Sequence, residues 1–86
     1  MPEHRKRVEV RVELKPEVMD AEAEATKHAL DLLGIAGLDR VKMARIYELE
    51  FLGLDNKEVQ RRTDQCVEKL LANPVIHKVT VRAIGT

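Results

Sequence analysis

The residues able to do chemistry in this 86-residue chain are three histidines, one cysteine, four threonines and a spread of carboxylates, with no serine among them. His4, His28 and His77 fall on a tail, a helix and a strand, and none has a second histidine or a cysteine at metal-ligand spacing. His28 follows Glu24 by four residues, the spacing of a surface helix pair. His77, at a strand start, suits a structural role. Asp20 and Glu24 would share a helical face, but helix capping already accounts for Asp20, which weakens a paired-carboxylate site. Gly34, Gly37, Gly53 and Gly85 are scattered, so they form no phosphate-cradling loop. Cys66 stands alone, which excludes an internal disulfide and a cysteine metal cluster; on the apolar face of a helix it reads as a small buried hydrophobe. No constellation supports a free-standing enzyme.

Arg45 stands apart. It interrupts the apolar side of a strand two residues before Tyr47, where a guanidinium needs a partner or an escape to solvent. Two readings are open. Arg45 is a strand-end residue that snorkels past Tyr47, or it is an interface contact to another subunit's carboxylate or a ligand's anion.

The elements that would position these groups follow from composition and periodicity. Hydrophobic residues make up 44% of the chain and aromatic residues only 2%, so the core is built from Val, Leu, Ile, Ala and Met. A chain this short hides only about 60–65% of its unfolded surface, and its stability is modest without a partner. Fifteen basic and fifteen acidic residues cancel, which argues against nucleic acid as a partner. The basic run His4-Arg5-Lys6-Arg7 reads as a solvated approach to the first strand, with residues 1–6 a flexible basic lead-in to one domain spanning 1–86. No apolar run approaches the roughly 18 residues that span a bilayer, and the N-terminus is charged rather than signal-like. The expectation is a cytoplasmic protein with no membrane partner.

Val8, Val10, Val12 and Leu14 alternate with Arg7, Glu9, Arg11 and Glu13, a period of two that predicts a strand with one buried and one charged face. The mixed signs on the charged face suit cross-strand ion pairs. Lys15-Pro16 ends the strand. Asp20 caps a helix whose face is Ala25, Thr26, Ala29, Leu30 and Leu33, with Gly34 as its stop. From Arg40 to Leu52 the chain reads as one long strand, because nothing between Val41 and Leu52 marks a hairpin turn. Asp55 and Glu58 have capping-box spacing for a second helix carrying Val59, Thr63, Cys66, Val67, Leu70 and Leu71. Asn73-Pro74 stops it, since proline has no N–H and pushes the preceding residue out of the helix; Val75 and Ile76 should then start extended. The fold class is α+β in the order β-α-β-α-β. Two helices pack on one face of a three-stranded, mainly antiparallel sheet with a long middle strand. Open edges and a thinly covered sheet predict self-association through the sheet.

Several segments together resemble a known family. They are Val10-Arg11-Val12-Glu13-Leu14-Lys15-Pro16, then Val18-Met19-Asp20, Ala29-Leu30-Asp31-Leu32-Leu33-Gly34, and Leu70 to Ile76. In order, spacing and total length they resemble the PurS family, the small accessory subunit of phosphoribosylformylglycinamidine synthase. The chain departs from the family's common pattern at Ala21, Glu22 and Ala23, at Lys42-Met43-Ala44-Arg45, where a glycine is usual at Ala44, and at His77.

The resemblance implies a non-catalytic role in a glutamine-dependent C–N ligase of de novo purine synthesis. A large synthetase subunit uses ATP and Mg, a glutaminase subunit releases ammonia from glutamine, and the small subunit binds no cofactor. As a dimer or tetramer, it bridges the two and helps ammonia pass. Family match makes Lys15, Pro16, Asp20, Lys42, Arg45, Asn73 and Pro74 the candidate contact residues, with Asp20, Asn73 and Pro74 also serving as cap and helix stop. A ligand-sensing regulatory domain of the ferredoxin-like type is the alternative. It would need a hairpin turn within the Val41–Phe51 segment.

Overall fold

The alternation of valine with charge produces the strand it predicts, and that strand becomes the centre of the sheet. The computed structural model describes residues 4–84. Its elements run β1 (Arg5–Leu14), α1 (Ala21–Leu32), β2 (Ala44–Leu52), α2 (Asn56–Cys66), a π-helical turn (Val67–Leu71) and β3 (His77–Ile84). The sheet order is β2-β1-β3, with both pairings antiparallel. The α+β class and the β-α-β-α-β order are as expected. No hairpin breaks β2, so the ferredoxin-like alternative lacks the turn it requires.

On one face Val8, Val10 and Val12 stand opposite Leu49, Tyr47 and Arg45 of β2 and opposite Ala83, Val81 and Val79 of β3. The three central valines are buried, Val10 completely. Burying a valine outright stabilises the fold by about 1.5 kcal/mol or more. The other face is charged, and its signs are used across the strands. Arg5 pairs with Glu50 at 3.1 Å, Arg7 with Glu48 at 3.0 Å, and Arg82 with Glu9 at 3.2 Å. These pairs are exposed and add at most about 1 kcal/mol each.

The two helices differ in position, and strand order is the reason. β2 ends beside Arg5 and β3 begins beside Leu14, at opposite ends of the sheet. The link between them must cross the sheet, so α2 lies over the valine face and its Val59 joins the cluster of Val8, Val10 and Val12. β1 and β2, by contrast, are antiparallel neighbours joined at one end. Their link has nothing to cross. α1 runs out and the segment 33–43 returns, forming an arm rather than a second helix on the sheet. Only Ala23 of α1 is buried, and Leu32 and Leu33 are each 75% exposed. The radius of gyration is 17.1 Å and the longest extent 57 Å, against about 12 Å expected for a compact domain of this length. The expectation of two helices packed on one sheet face therefore holds for α2 alone, and the apolar face expected of α1 is not buried by this chain.

Smaller differences have local causes. β1 starts at Arg5, so Arg5 and Lys6 belong to the strand; of the expected lead-in, residues 1–3 lie outside the described residues. β1 has 10 residues and β2 has 9, so the segment expected to be the long strand is the shorter of the two and lies at the sheet edge. Residues 40–43 are not strand, because β1 ends its pairing with β2 at Glu13 opposite Ala44. Gly34 takes φ +80°, a left-handed conformation that ends α1 as its position predicts. Asp55 accepts the Glu58 N–H at 2.8 Å, but the Glu58 carboxylate turns to Arg61 and Arg62 instead of closing a capping box. Those guanidinium hydrogen bonds, Arg61 first, hold Glu58 down at a pKa of about 2. Cys66 is half-buried.

Candidate partner interface

All seven candidate residues stand at one end of the sheet, where β1 ends and β2 and β3 begin. β1 leaves the sheet through a turn: the Val18 N–H donates to the Lys15 carbonyl at 2.9 Å across Pro16. Proline suits that second turn position because its φ is already set. Asp20 then caps α1, its Oδ1 accepting the Ala23 N–H at 3.0 Å. The returning segment closes over this turn and leaves a cleft of about 420 Å³, lined in part by Lys15, Pro16, Asp20, Asp39, Arg40 and Lys42.

Four candidates thus share one cleft: Lys15, Pro16, Asp20 and Lys42. Arg45 lies just past it, one residue into β2 and opposite Val12. It reaches solvent at the sheet's end and has no ion-pair partner among the described residues. Lys15 and Lys42 likewise carry no ion pair among the described residues. Carboxylates line the same cleft, Glu13, Glu17, Asp20, Glu24 and Asp39 among them, so the surface is mixed in sign with unpaired cations at its rim. Lys27 is taken up by Asp31 at 2.7 Å.

Asn73 and Pro74 belong to a second surface at the same end. The helix ends at Leu71 with a π-type bond from the Ala72 N–H to the Val67 carbonyl, two residues before the stop predicted at Asn73. Asn73 then builds a turn. Its carbonyl accepts from Ile76 and His77, its Oδ1 accepts from Val75 at 2.9 Å, and its N–H donates to His77 Nδ1 at 2.8 Å. Val75 and Ile76 are therefore in the turn rather than extended, and β3 begins at His77. The structural role expected of His77 is this acceptor. The Lys15 N–H donates to the Ile76 carbonyl at 2.9 Å and ties the two turns together. Pro74 and His77 also line an apolar groove of about 430 Å³ with Val67, Ala72, Val79 and Val81.

Sequence reasoning missed this groove and the part Arg40 and Asp39 take in the cleft. The signal available was Val79 and Val81 on the strand face that α2 was expected to share with a second helix. Among the described residues no group of three or more His, Cys, Asp or Glu side chains could hold a metal ion, and no helix is long and apolar enough to cross a membrane.

Comparison with known proteins agrees with this geometry. The family model PurS, described as phosphoribosylformylglycinamidine (FGAM) synthase, matches residues 7–85. Phosphoribosylformylglycinamidine synthase subunit PurS of Archaeoglobus fulgidus is 38% identical over 73 residues, covering 85% of this chain and 91% of the relative. The crystal structure of Methanocaldococcus jannaschii PurS, one of the subunits of formylglycinamide ribonucleotide amidotransferase, superposes with a TM-score of 0.81 at 25% identity, covering 94% of this chain and 98% of that one. A chain in the structure of PurLQS from Thermotoga maritima shares the fold, with a TM-score of 0.82 at 20% identity and coverage of 98% and 100%. The chain belongs to the PurS family.

Proposed function

We propose that this chain is the small, non-catalytic subunit of a phosphoribosylformylglycinamidine synthase of de novo purine biosynthesis. It bridges a synthetase subunit and a glutaminase subunit in the cytoplasm and assists ammonia transfer between them. ATP, Mg and glutamine are used by those partners, and the chain itself forms a dimer or tetramer. The observation that carries this reading is the family match across residues 7–85, together with 38% identity to a subunit of that synthase. The architecture is consistent with it. Lys15, Pro16, Asp20, Lys42, Arg45, Asn73 and Pro74 lie at one end of an elongated molecule, and three of them are cations without an ion-pair partner among the described residues.

The test is reconstitution with the cognate synthetase and glutaminase. Arg45→Ala and Lys42→Ala should lower glutamine-dependent turnover while leaving turnover driven by ammonium salt unchanged, because free ammonia bypasses a bridge. The variants should keep the parent's circular dichroism and melting temperature, since both side chains are exposed. Unchanged glutamine-dependent turnover with all three subunits present would count against Lys42 and Arg45 as contacts. Failure of the parent chain to bind either subunit would overturn the reading as a whole.

A further inference from the structure

The turn that opens β3 is closed by a bond that one proton can break. The Asn73 N–H donates to His77 Nδ1 at 2.8 Å, so that nitrogen is an acceptor and the ring is neutral, with its proton on Nε2. Both nitrogens of an imidazolium are donors, and a charged ring cannot accept this bond. Histidine is also the side chain whose charge ordinarily changes between about pH 5 and pH 8. A charged ring has somewhere to turn. His77 stands on the face of Val79 and Val81, opposite Leu14, while Lys78 and its register partner Glu13 lie on the other face. Lys15, which follows Leu14, lines the cleft at the sheet end instead. The charged groups sharing the groove with the ring are therefore Asp64 of α2 and Glu68 of the π-helical turn, both without an ion-pair partner among the described residues. They attract an imidazolium and draw it away from a backbone N–H.

We propose that His77 is a proton-sensitive latch on the junction between the two candidate contact surfaces. Neutral, it closes the turn at residues 73–77 and holds Asn73 and Pro74 beside Lys15 and Pro16. Protonated, it releases the Asn73 N–H, swings towards Asp64 and Glu68 and loosens the junction. The coupling runs through backbone. The Ile76 and His77 N–H groups donate to the Asn73 carbonyl at 3.1 Å and 2.8 Å, and the Lys15 N–H donates to the Ile76 carbonyl at 2.9 Å, so the first turn leans on the second. The contribution is present while the ring is neutral and disappears as pH falls. One such hydrogen bond changes an equilibrium by about two- to tenfold. The latch stands on the geometry of the turn alone. Its effect on assembly, a weaker grip on partner subunits as pH falls, rests on the function proposed above.

Nuclear magnetic resonance of the full chain, titrated from about pH 8 to about pH 5, tests the latch with the parent and His77→Asn. Asparagine places an acceptor oxygen where Nδ1 stands, and that oxygen does not titrate. In the parent, the imidazole nitrogen shifts should show neutral His77 with its proton on Nε2. The amide signals of Asn73, Ile76 and Lys15 should then move with the titration of His77 and ignore those of His4 and His28. In His77→Asn they should stay in place. A neutral ring carrying its proton on Nδ1, amides that do not follow His77, or the same response in His77→Asn would each overturn the latch. Affinity for the cognate synthetase and glutaminase is measured at the two ends of the same range. The parent should lose about two- to tenfold more affinity on acidification than His77→Asn. Equal losses overturn the effect on assembly. A latch seen by resonance in a chain that binds neither subunit at the upper pH overturns the bridging role and leaves the latch in place.

Discussion

Thr63 offers the sharpest test of how the core is read. It lies on α2 one turn after Val59, is 1% exposed, and its Oγ1 has no hydrogen-bond partner among the described residues. An unpaired buried hydroxyl costs about 1–3 kcal/mol. Thr63→Val replaces that hydroxyl with a methyl of nearly the same volume, and burying the methyl contributes about 0.8 kcal/mol more. Valine and threonine differ little in helix propensity, so the backbone adds no opposing term. The net expectation is a gain of about 2–4 kcal/mol, which for a chain this size raises the melting temperature by roughly 10 °C or more. Thr63→Ser keeps the unpaired hydroxyl, loses the methyl and should cost about 1 kcal/mol. Urea titration followed by circular dichroism gives both values. Protein concentration must be held constant, so that association between chains does not enter the comparison. Loss of about 1 kcal/mol or more in Thr63→Val, with an unchanged denaturant slope, would show the hydroxyl is bonded and refute the reasoning.

Other outcomes follow from the same structure. Glu58 is held at a pKa of about 2, against 4.5 for the free group, so the folded state favours its charged form. Its contribution is full above pH 4.5 and disappears as pH falls towards 2; thermal melts should show the gap between the parent and Glu58→Gln closing across that window and constant at neutral pH. Asp20→Ala removes the α1 cap, worth about 1 kcal/mol. Because α1 buries only Ala23, the loss should appear as roughly fivefold faster hydrogen exchange in the first turn, with little change in the global melt. Asn73→Ala deletes the acceptor for the Val75 N–H and should cost about 1 kcal/mol by urea titration, with altered amide shifts confined to the turn before His77.

Much of the fold is legible because its signals are local. Val8, Val10 and Val12 mark β1 by alternation alone, Asp20 and Asp55 mark helix starts by what their carboxylates can accept, and Gly34 and Pro74 mark helix ends by which φ values or hydrogen bonds they allow. Charges of both signs on β1 anticipate the ion pairs to Glu48, Glu50 and Arg82. The candidate residues are legible differently. Lys15 and Lys42 come from family resemblance, and Arg45 both from resemblance and from its place on the apolar side of a strand; nothing in their spacing shows that they share one end of the molecule.

What the chain alone determined, then, is which segments are strand and helix, and which face of each is apolar; dihedral preference, capping and periodicity act within a few residues. What only the tertiary structure decided is the fate of those faces. Placing β1 between β2 and β3 makes one connection a crossover and the other a detour. α2 is pressed onto the valines, while α1, with an apolar end of its own, stands clear at 75% exposure for Leu32 and Leu33. The same pairing gathers Lys15, Lys42, Arg45 and Pro74 from three separate stretches of sequence. Strand order is a collective choice among distant segments, and no local pattern carries it.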